Sequence, residues 1–187
     1  MSLPDIALMG RARSGKDTAA GHLVRHHGYR RLAFADPLKD MALEINPLIP
    51  AEHGEHVPLR PLIEDAGWEY AKVRYPEVRR ILQHVGQSIR DRDPDYWVSL
   101  LMRDVEAAGW MGTPVVVTDV RYPNEADALI NAGFRLVRIL RPSLPAQPAG
   151  EHESETALDG FPADAVIWND TTADLLRWRI AGYAQAA

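Results

Sequence analysis

An α/β fold with a central parallel sheet is predicted by three observations. Short apolar runs alternate along the chain with segments whose apolar residues recur at helical spacing, and such alternation builds a parallel sheet covered by helices on both faces. The strongest run, Pro114-Val115-Val116-Val117-Thr118-Asp119, is continuous rather than alternating and ends in a carboxylate, as suits a strand buried on both sides. The run Ile6-Ala7-Leu8-Met9 passes directly into Gly10-Arg11-Ala12-Arg13-Ser14-Gly15-Lys16-Asp17-Thr18, a glycine-bounded loop that opens a helical pattern.

Each element has a local reason. Residues 5–9 form the first strand, and a helix over 15–27 places Ala19, Ala20, Leu23 and Val24 on one face before Gly28 stops it. Residues 30–34 form a second short strand. At Asp36-Pro37 a helix begins, with Asp36 as N-cap and Pro37 at the first helical position, and Leu38, Met41, Ala42 and Ile45 follow at helical spacing. From Asn46 to Pro76 the pattern changes: Pro47, Pro50, Pro58 and Pro61 crowd its start, which reads as a loop-rich insert with a short helix around 59–73. A helix over 77–90 directs Val78, Ile81, Leu82, Val85 and Ile89 inward, and Asp93-Pro94 restarts a helix carrying Val98, Leu101, Met102 and Val105. After the strand at 114–119 come a helix at 123–132, a strand at 134–140 and a polar loop over 141–160. A last strand, Ala165-Val166-Ile167-Trp168, precedes a terminal helix capped by Thr171 with Asp174 as capping-box partner. Right-handed crossovers make this a three-layer domain of about five parallel strands, with ligands at the carboxyl ends of the strands. The glycine loop, Asp36, Asp119 and Arg141 all fall at such ends.

The loop carries the chemistry. Glycines let the backbone wrap closely around oxygen atoms, and successive N–H groups at a helix N-terminus then bind phosphate. A strand, a glycine-bounded loop, Lys16, a hydroxyl residue and a helix together grip a nucleoside triphosphate. Lys16 reaches the β- and γ-phosphates and the hydroxyl ligates Mg²⁺. In the general motif the hydroxyl residue directly follows the lysine. Here Asp17 intervenes and Thr18 supplies it, an ending that resembles nucleoside monophosphate kinases.

Composition narrows the partners. The chain has 187 residues, 46% hydrophobic and 25% charged, enough for one domain with a core. A formal net charge of −5 disfavours a nucleic-acid polymer as partner. A small phosphorylated ligand needs only a local basic cluster. The chain has no cysteine, which excludes disulfides and thiolate chemistry. No apolar run has the length of a membrane span, and residues 1–9 lack a signal-peptide pattern. A cytoplasmic location is expected.

Other residues are candidates on their positions. Asp119 at a strand end fits a metal-site carboxylate, and Arg121, two residues on, fits a phosphate contact or an ion pair with Asp119 or Glu125. Asp36 is either a helix cap or a contact to Mg²⁺ or the acceptor. Arg79, Gln83, Gly86 and Arg90 share one helical stripe. Gln83 can bond a base edge and Arg90 can pair bidentately with a phosphate, although a solvated stripe has the same pattern. Gly86 is costly inside a helix, which suggests that something approaches the backbone there. Arg11 and Arg13 in the loop, with Arg138 and Arg141 flanking the strand at 134–140, can stabilise the charge spread over a phosphoryl group in transfer. The histidine pairs His22/His26 and His53/His56 show no third ligand, and no zinc site is expected.

Several segments together resemble one family. The loop Gly10–Thr18, Phe34-Ala35-Asp36-Pro37-Leu38-Lys39, Leu82-Gln83-His84-Val85-Gly86 through Arg90 to Asp95-Tyr96-Trp97, Thr118-Asp119-Val120-Arg121-Tyr122-Pro123-Asn124-Glu125, His152-Glu153-Ser154-Glu155 and Asn169-Asp170-Thr171 resemble the deoxynucleoside monophosphate kinases of bacteriophages. The resemblance covers nearly the whole chain in order. It implies a single P-loop kinase domain with a core of 1–46 and 77–187, an acceptor-binding insert over about 47–76 and a lid over about 141–160. It implies transfer of the ATP γ-phosphoryl group to a deoxynucleoside monophosphate. Residues Gly10, Arg11, Ala12, Arg13, Ser14, Gly15, Lys16, Asp17 and Thr18 then hold ATP, with Thr18 and Asp119 on Mg²⁺. Asp36, Lys39, Gln83, Arg90, Arg121 and Glu155 surround the acceptor, and Lys16, Arg13, Arg121, Arg141 and Asp36 serve catalysis. The acceptor phosphate is ionised at neutral pH, so no general base is required and catalysis reduces to positioning and charge neutralisation.

Alternatives remain at this point. A dephospho-coenzyme A kinase would share the loop, and its hydroxyl acceptor would make Asp36 a base. A phosphomevalonate-type kinase is a weaker variant. A nucleotide-switched regulator is another class, although no Asn-Lys-x-Asp guanine motif occurs. A replication or DNA-packaging accessory is disfavoured by the acidic balance. A homodimer is left open.

Overall fold

The computed structural model describes residues 3–144 and 156–186, the side chain of His53 excepted. The chain forms two compact units, one of residues 1–34 and 98–187 and the other of residues 35–97.

The first unit holds a five-stranded parallel sheet. Its strands are β1 (Ile6–Met9), β2 (Arg30–Leu32), β5 (Val115–Val120), β6 (Arg135–Leu140) and β7 (Ala165–Trp168), in the order β2-β5-β1-β6-β7. All four pairings are parallel. Each strand must therefore be reached by a crossover, which explains the alternation in the sequence. The central strand β1 is buried along its whole length. Ile6 and Leu8 join Val116, Val137, Ile139 and Ile167 in a core beneath α1 (Lys16–His27) and α7 (Ala173–Ala186). Residues of opposite parity, among them Ala7, Met9, Val117 and Leu136, are buried as well. Both faces are covered, as the unbroken apolar runs require. Helices α5 (Tyr96–Trp110) and α6 (Pro123–Asn131) are the crossovers before and after β5.

Two local expectations are corrected. Val24 is 38% exposed rather than part of the α1 face. The terminal helix is capped by Thr172, whose Oγ1 accepts the N–H of Leu175 at 3.2 Å, not by Thr171, and Asp174 pairs with Arg177 at 2.6 Å. Adjacent threonines both suit a cap, so sequence alone is off by one residue.

The second unit departs further from expectation. The start of the segment, read as loop, forms an antiparallel hairpin, β3 (Leu48–Pro50) with β4 (His56–Pro58), while the helix expected over 59–73 is present as α3 (Leu59–Arg74). The prolines do not prevent this. Pro50 and Pro58 end two strands that make up a whole sheet between them, so each has an outward side where no N–H is needed. Pro61 lies in the first turn of α3, where N–H groups have no partner within the helix. Gly67 interrupts α3 at φ 75° and ψ 160°, a region open to glycine alone. Ile49, Leu59, Ala71 and Val78 form a separate core with Ala42. Helix α2 (Ala35–Ile45) takes Asp36 into its first turn instead of leaving it as the cap.

Gly86 in α4 (Pro76–Arg90) has its approaching neighbour. A side-chain carbon there would sit 3.2 Å from Leu38 Cδ2, and the Gly86 carbonyl accepts the Trp97 indole N–H at 3.2 Å. Its glycine serves the packing of α2 on α4.

Tyr29 ties the first unit's sheet to its N-terminal segment. Its hydroxyl donates to the Pro4 carbonyl at 2.7 Å, and burial, aided by the Asp5 carboxylate, pushes its pKa up to about 12. The raised value means the folded chain holds this proton more tightly than the unfolded one. Its contribution is complete below pH 10 and is lost as pH rises toward 12. We expect unfolding free energy to fall by about 2–3 kcal/mol between these pH values. Tyr29→Phe should flatten the decline in denaturant titrations.

Candidate active site

The loop between β1 and α1 is built from backbone geometry. Gly10 and Gly15 have φ 137° and 109°, and Arg13 has φ 62°. A side-chain carbon at Gly10 would collide with the Ile139 carbonyl oxygen, and at Gly15 it would lie 2.6 Å from Asn169 Nδ2 and 2.8 Å from Leu176 Cδ2. Both glycines are thus fixed by conformation and by space. The Ser14 N–H closes the turn onto the Arg11 carbonyl at 3.1 Å. Lys16, the first residue of α1, turns back over the loop and donates to the carbonyls of Gly10 at 2.5 Å and Arg11 at 3.0 Å. Ser14 is buried, and its Oγ has no hydrogen-bond partner among the described residues. Thr18, the third residue of the helix, is half-buried; Asp17 is exposed.

Strand register brings the other first-unit candidates to this end of the sheet. Met9 pairs with Val120 on one side and Arg138 on the other. Asp119, Arg121 and Arg138 are therefore next to the residue that enters the loop. The Asp119 carboxylate accepts the Phe34 N–H at 2.8 Å, which fixes its orientation. A cleft of about 530 Å³ opens here, lined by Gly10, Ser14, and the guanidinium-bearing Arg11, Arg121, Arg138 and Arg141. Four arginines around one cleft concentrate positive charge locally in an acidic chain. Asp159 is the carboxylate among the lining residues, and it pairs with Arg11 at 2.8 Å.

Arg138 donates to the carbonyls of Leu158 and Phe161 at 2.8 and 2.7 Å. Burial lowers its pKa while Asp159 opposes the change. Its hydrogen bonds hold the 156–161 turn against the cleft, a structural role that the sequence reading did not assign. Arg141 donates to the Arg13 carbonyl at 3.3 Å, so the first residue of the expected lid touches the loop directly. Residues 145–155, including Glu155 and most of that lid, lie outside the described residues.

The remaining candidates belong to the second unit. Asp36 and Lys39 pair at 3.5 Å on one face of α2. On α4, Arg79 and Gln83 are exposed and Arg90 is half-buried at the C-terminal end. At the histidine pair of α1, the rings of His26 and His27 lie 4.7 and 5.4 Å from that of His22. Burial first, then the neighbouring histidines, Arg177 and Arg25, lowers the His22 pKa. Among the described residues no group of three metal-ligating side chains is close enough to hold an ion in the manner of zinc.

Sequence reasoning missed Glu125 as a positioning group. It is 2% exposed, and its Oε2 accepts the N–H groups of Arg121 and Tyr122 at 2.8 and 3.1 Å. The sequence offers it only as an ion-pair partner of Arg121. Its place three residues after the N-cap Tyr122 at a helix start is the signal that could have revealed it.

A glycine loop with its lysine, at the carboxyl end of a five-stranded parallel sheet, defines a P-loop small-molecule kinase fold. Comparison with solved structures agrees. The chain resembles a sugar kinase from a Janibacter species (TM-score 0.55, 16% identity, 99% of this chain and 96% of that one). It also resembles dephospho-CoA kinase from Campylobacter jejuni (TM-score 0.54, 11% identity, 98% and 96% covered). At these identities the likeness is one of fold. Residues 65–180 match the deoxynucleotide monophosphate kinase family, and the chain belongs to that family of phosphotransferases. A protein of Acanthamoeba polyphaga mimivirus, provisionally named a deoxynucleotide monophosphate kinase, is 29% identical over 187 aligned positions, 90% of each chain. An uncharacterized protein of Ictalurid herpesvirus 1 (strain Auburn) is 35% identical over 113 residues, which span 59% of this chain and half of that protein.

Removing the Glu125 carboxylate strands two N–H groups beside the cleft. We expect Glu125→Ala to lower stability by about 2–4 kcal/mol and to reduce turnover through misplacement of Arg121. Glu125→Gln, which keeps an acceptor oxygen, should retain most of both. Thermal unfolding and steady-state rates on the two variants check this.

Proposed function

We propose that this protein transfers the γ-phosphoryl group of ATP to a deoxynucleoside monophosphate, giving ADP and a deoxynucleoside diphosphate. The observation that supports this most directly is the Lys16 loop opening into a cleft lined by four arginines, in a chain of the deoxynucleotide monophosphate kinase family. The family implies ATP as donor. The loop N–H groups and the α1 N-terminus bind its phosphates, and the buried, unpartnered Ser14 hydroxyl suits a phosphate oxygen. Lys16 exchanges its carbonyl partners for the β- and γ-phosphates. Arg13, Arg121 and Arg141 neutralise charge spread over the transferring group.

Thr18 and Asp119 offer a hydroxyl and a carboxylate, hard oxygen donors of the kind Mg²⁺ prefers. We assign them to that ion, which when bound neutralises charge on the β- and γ-oxygens. The Phe34 N–H on Asp119 Oδ1 orients the carboxylate for this purpose. Asp36, Lys39, Gln83, Arg90, Arg121 and Glu155 are assigned to the acceptor, with Arg90 on its phosphate and Gln83 on a base edge. The insert 47–76 supplies further acceptor contacts, and the 141–160 segment serves as lid. An acceptor phosphate oxygen attacks the γ-phosphorus as the bond to the ADP oxygen breaks. Asp36 is then a positioning group with no proton to take, because the acceptor phosphate is already ionised.

Product chromatography tests the reaction. Protein, ATP and Mg²⁺ are incubated separately with each deoxynucleoside and ribonucleoside monophosphate and with dephospho-coenzyme A. Diphosphate from one or more deoxynucleotides is expected. Product from dephospho-coenzyme A alone would overturn the reading and make Asp36 a base. Lys16→Ala should reduce turnover by about a hundredfold or more in a folded protein, as judged by circular dichroism. Arg90→Ala should raise the acceptor KM by about tenfold or more with little change in the ATP KM; equal changes in both would remove Arg90 from the acceptor site.

A further inference from the structure

Asn169 lies at the end of β7, far in sequence from the nucleotide loop, yet its side chain touches that loop. Its Nδ2 donates to the Ser14 carbonyl at 2.8 Å. It also occupies the space a side chain on Gly15 would need, at 2.6 Å from that position. The acceptor is a carbonyl oxygen, so the amide NH₂ must face it and the orientation of the side chain is set by chemistry.

The backbone around Asn169 is held on both sides. Its own N–H donates to the Leu140 carbonyl at 2.7 Å, which joins β7 to the end of β6. Arg179 of α7 donates to the Trp168 carbonyl and, at 2.8 Å, to the Asp170 carboxylate. The Asn169 amide therefore projects from a braced turn and loses little freedom when it bonds.

The consequence follows from peptide planarity. No cis peptide occurs among the described residues, so the Ser14 carbonyl and the Gly15 N–H point in opposite directions across one rigid plane. Fixing the carbonyl toward Asn169 aims the Gly15 N–H away from it. With Gly15 at positive φ on one side, that plane would otherwise flip readily, because glycine adds no side-chain barrier.

We propose that Asn169 is a positioning residue for the ATP phosphates. It locks the Ser14–Gly15 peptide so that the Gly15 N–H faces the bound polyphosphate. This rests on the nucleotide-loop reading above and deepens it, since it names the group that pre-organises the loop's donor.

The test uses Asn169→Asp, which keeps size but places a carboxylate oxygen against the carbonyl. Titration calorimetry with Mg-ATP and with inorganic tripolyphosphate reads loop binding without any acceptor. Both affinities should fall about tenfold or more, while the deoxynucleotide KM stays within about twofold. Ile180→Ala, on the buried face of α7, serves as a stability control. It should lower the melting temperature at least as much and leave tripolyphosphate affinity unchanged. Wild-type affinity in Asn169→Asp would overturn the inference, and so would an equal loss in Ile180→Ala. Loss in Asn169→Asp from a wild-type protein that binds ATP but phosphorylates no monophosphate would support the loop role and remove the kinase reading instead.

Discussion

A side chain on Gly10 would run into the Ile139 carbonyl, and one on Gly15 into Asn169 and Leu176. The nucleotide loop thus packs against the ends of β6 and β7 with no atom to spare, and the rest of the first unit is arranged to keep it there. Strand β1 is buried along its full length between β5 and β6, so the loop leaves a rigid platform. Helix α1 then starts at Lys16, and its inward face packs with α7 over the same core. A loop of this kind binds phosphate through N–H groups whose directions are set before the ligand arrives, and such pre-organisation is lost if any wall of the cradle moves.

Charge is handled locally rather than globally. The chain is acidic, with a formal net charge of −5, yet four arginines converge on one cleft. They do not simply repel one another. Arg138 is committed to the carbonyls of Leu158 and Phe161, Arg141 reaches the Arg13 carbonyl, and Arg11 meets Asp159. The carbonyls leave the charges of Arg138 and Arg141 in place while Asp159 offsets that of Arg11, so positive charge stays concentrated at the cleft. Glu125 works in the same spirit from beneath, where it orders the backbone at Arg121 through two N–H groups.

The second unit shows where local reading fails. Its crowded prolines suggested a loop before the helix, but Pro50, Pro58 and Pro61 occupy places that need no N–H donor, and a hairpin leads into the expected helix. Proline excludes a residue from the interior of a ladder, not from its ends. Gly86 indicated a close approach to the helix backbone, and the neighbour that makes it is Leu38 of α2. A glycine in a helix announces close approach without naming the neighbour.

The sequence by itself determined the α/β class, the five parallel strands, the nucleotide loop and the residues that end strands β1 and β5, because these depend on periodicity and on backbone demands that specific residue types meet locally. It also carried enough pattern, from Phe34-Ala35-Asp36-Pro37 to Asn169-Asp170-Thr171, to indicate the family. Only the tertiary structure decided which distant groups hold the loop and its neighbours. Asn169 and Ser14 are separated by 155 residues, Arg11 and Asp159 by 148, and Phe34 and Asp119 by 85. Such pairs arise from strand order and register, and a polar residue at the end of a strand looks the same in sequence whether it meets water or a carbonyl across the sheet.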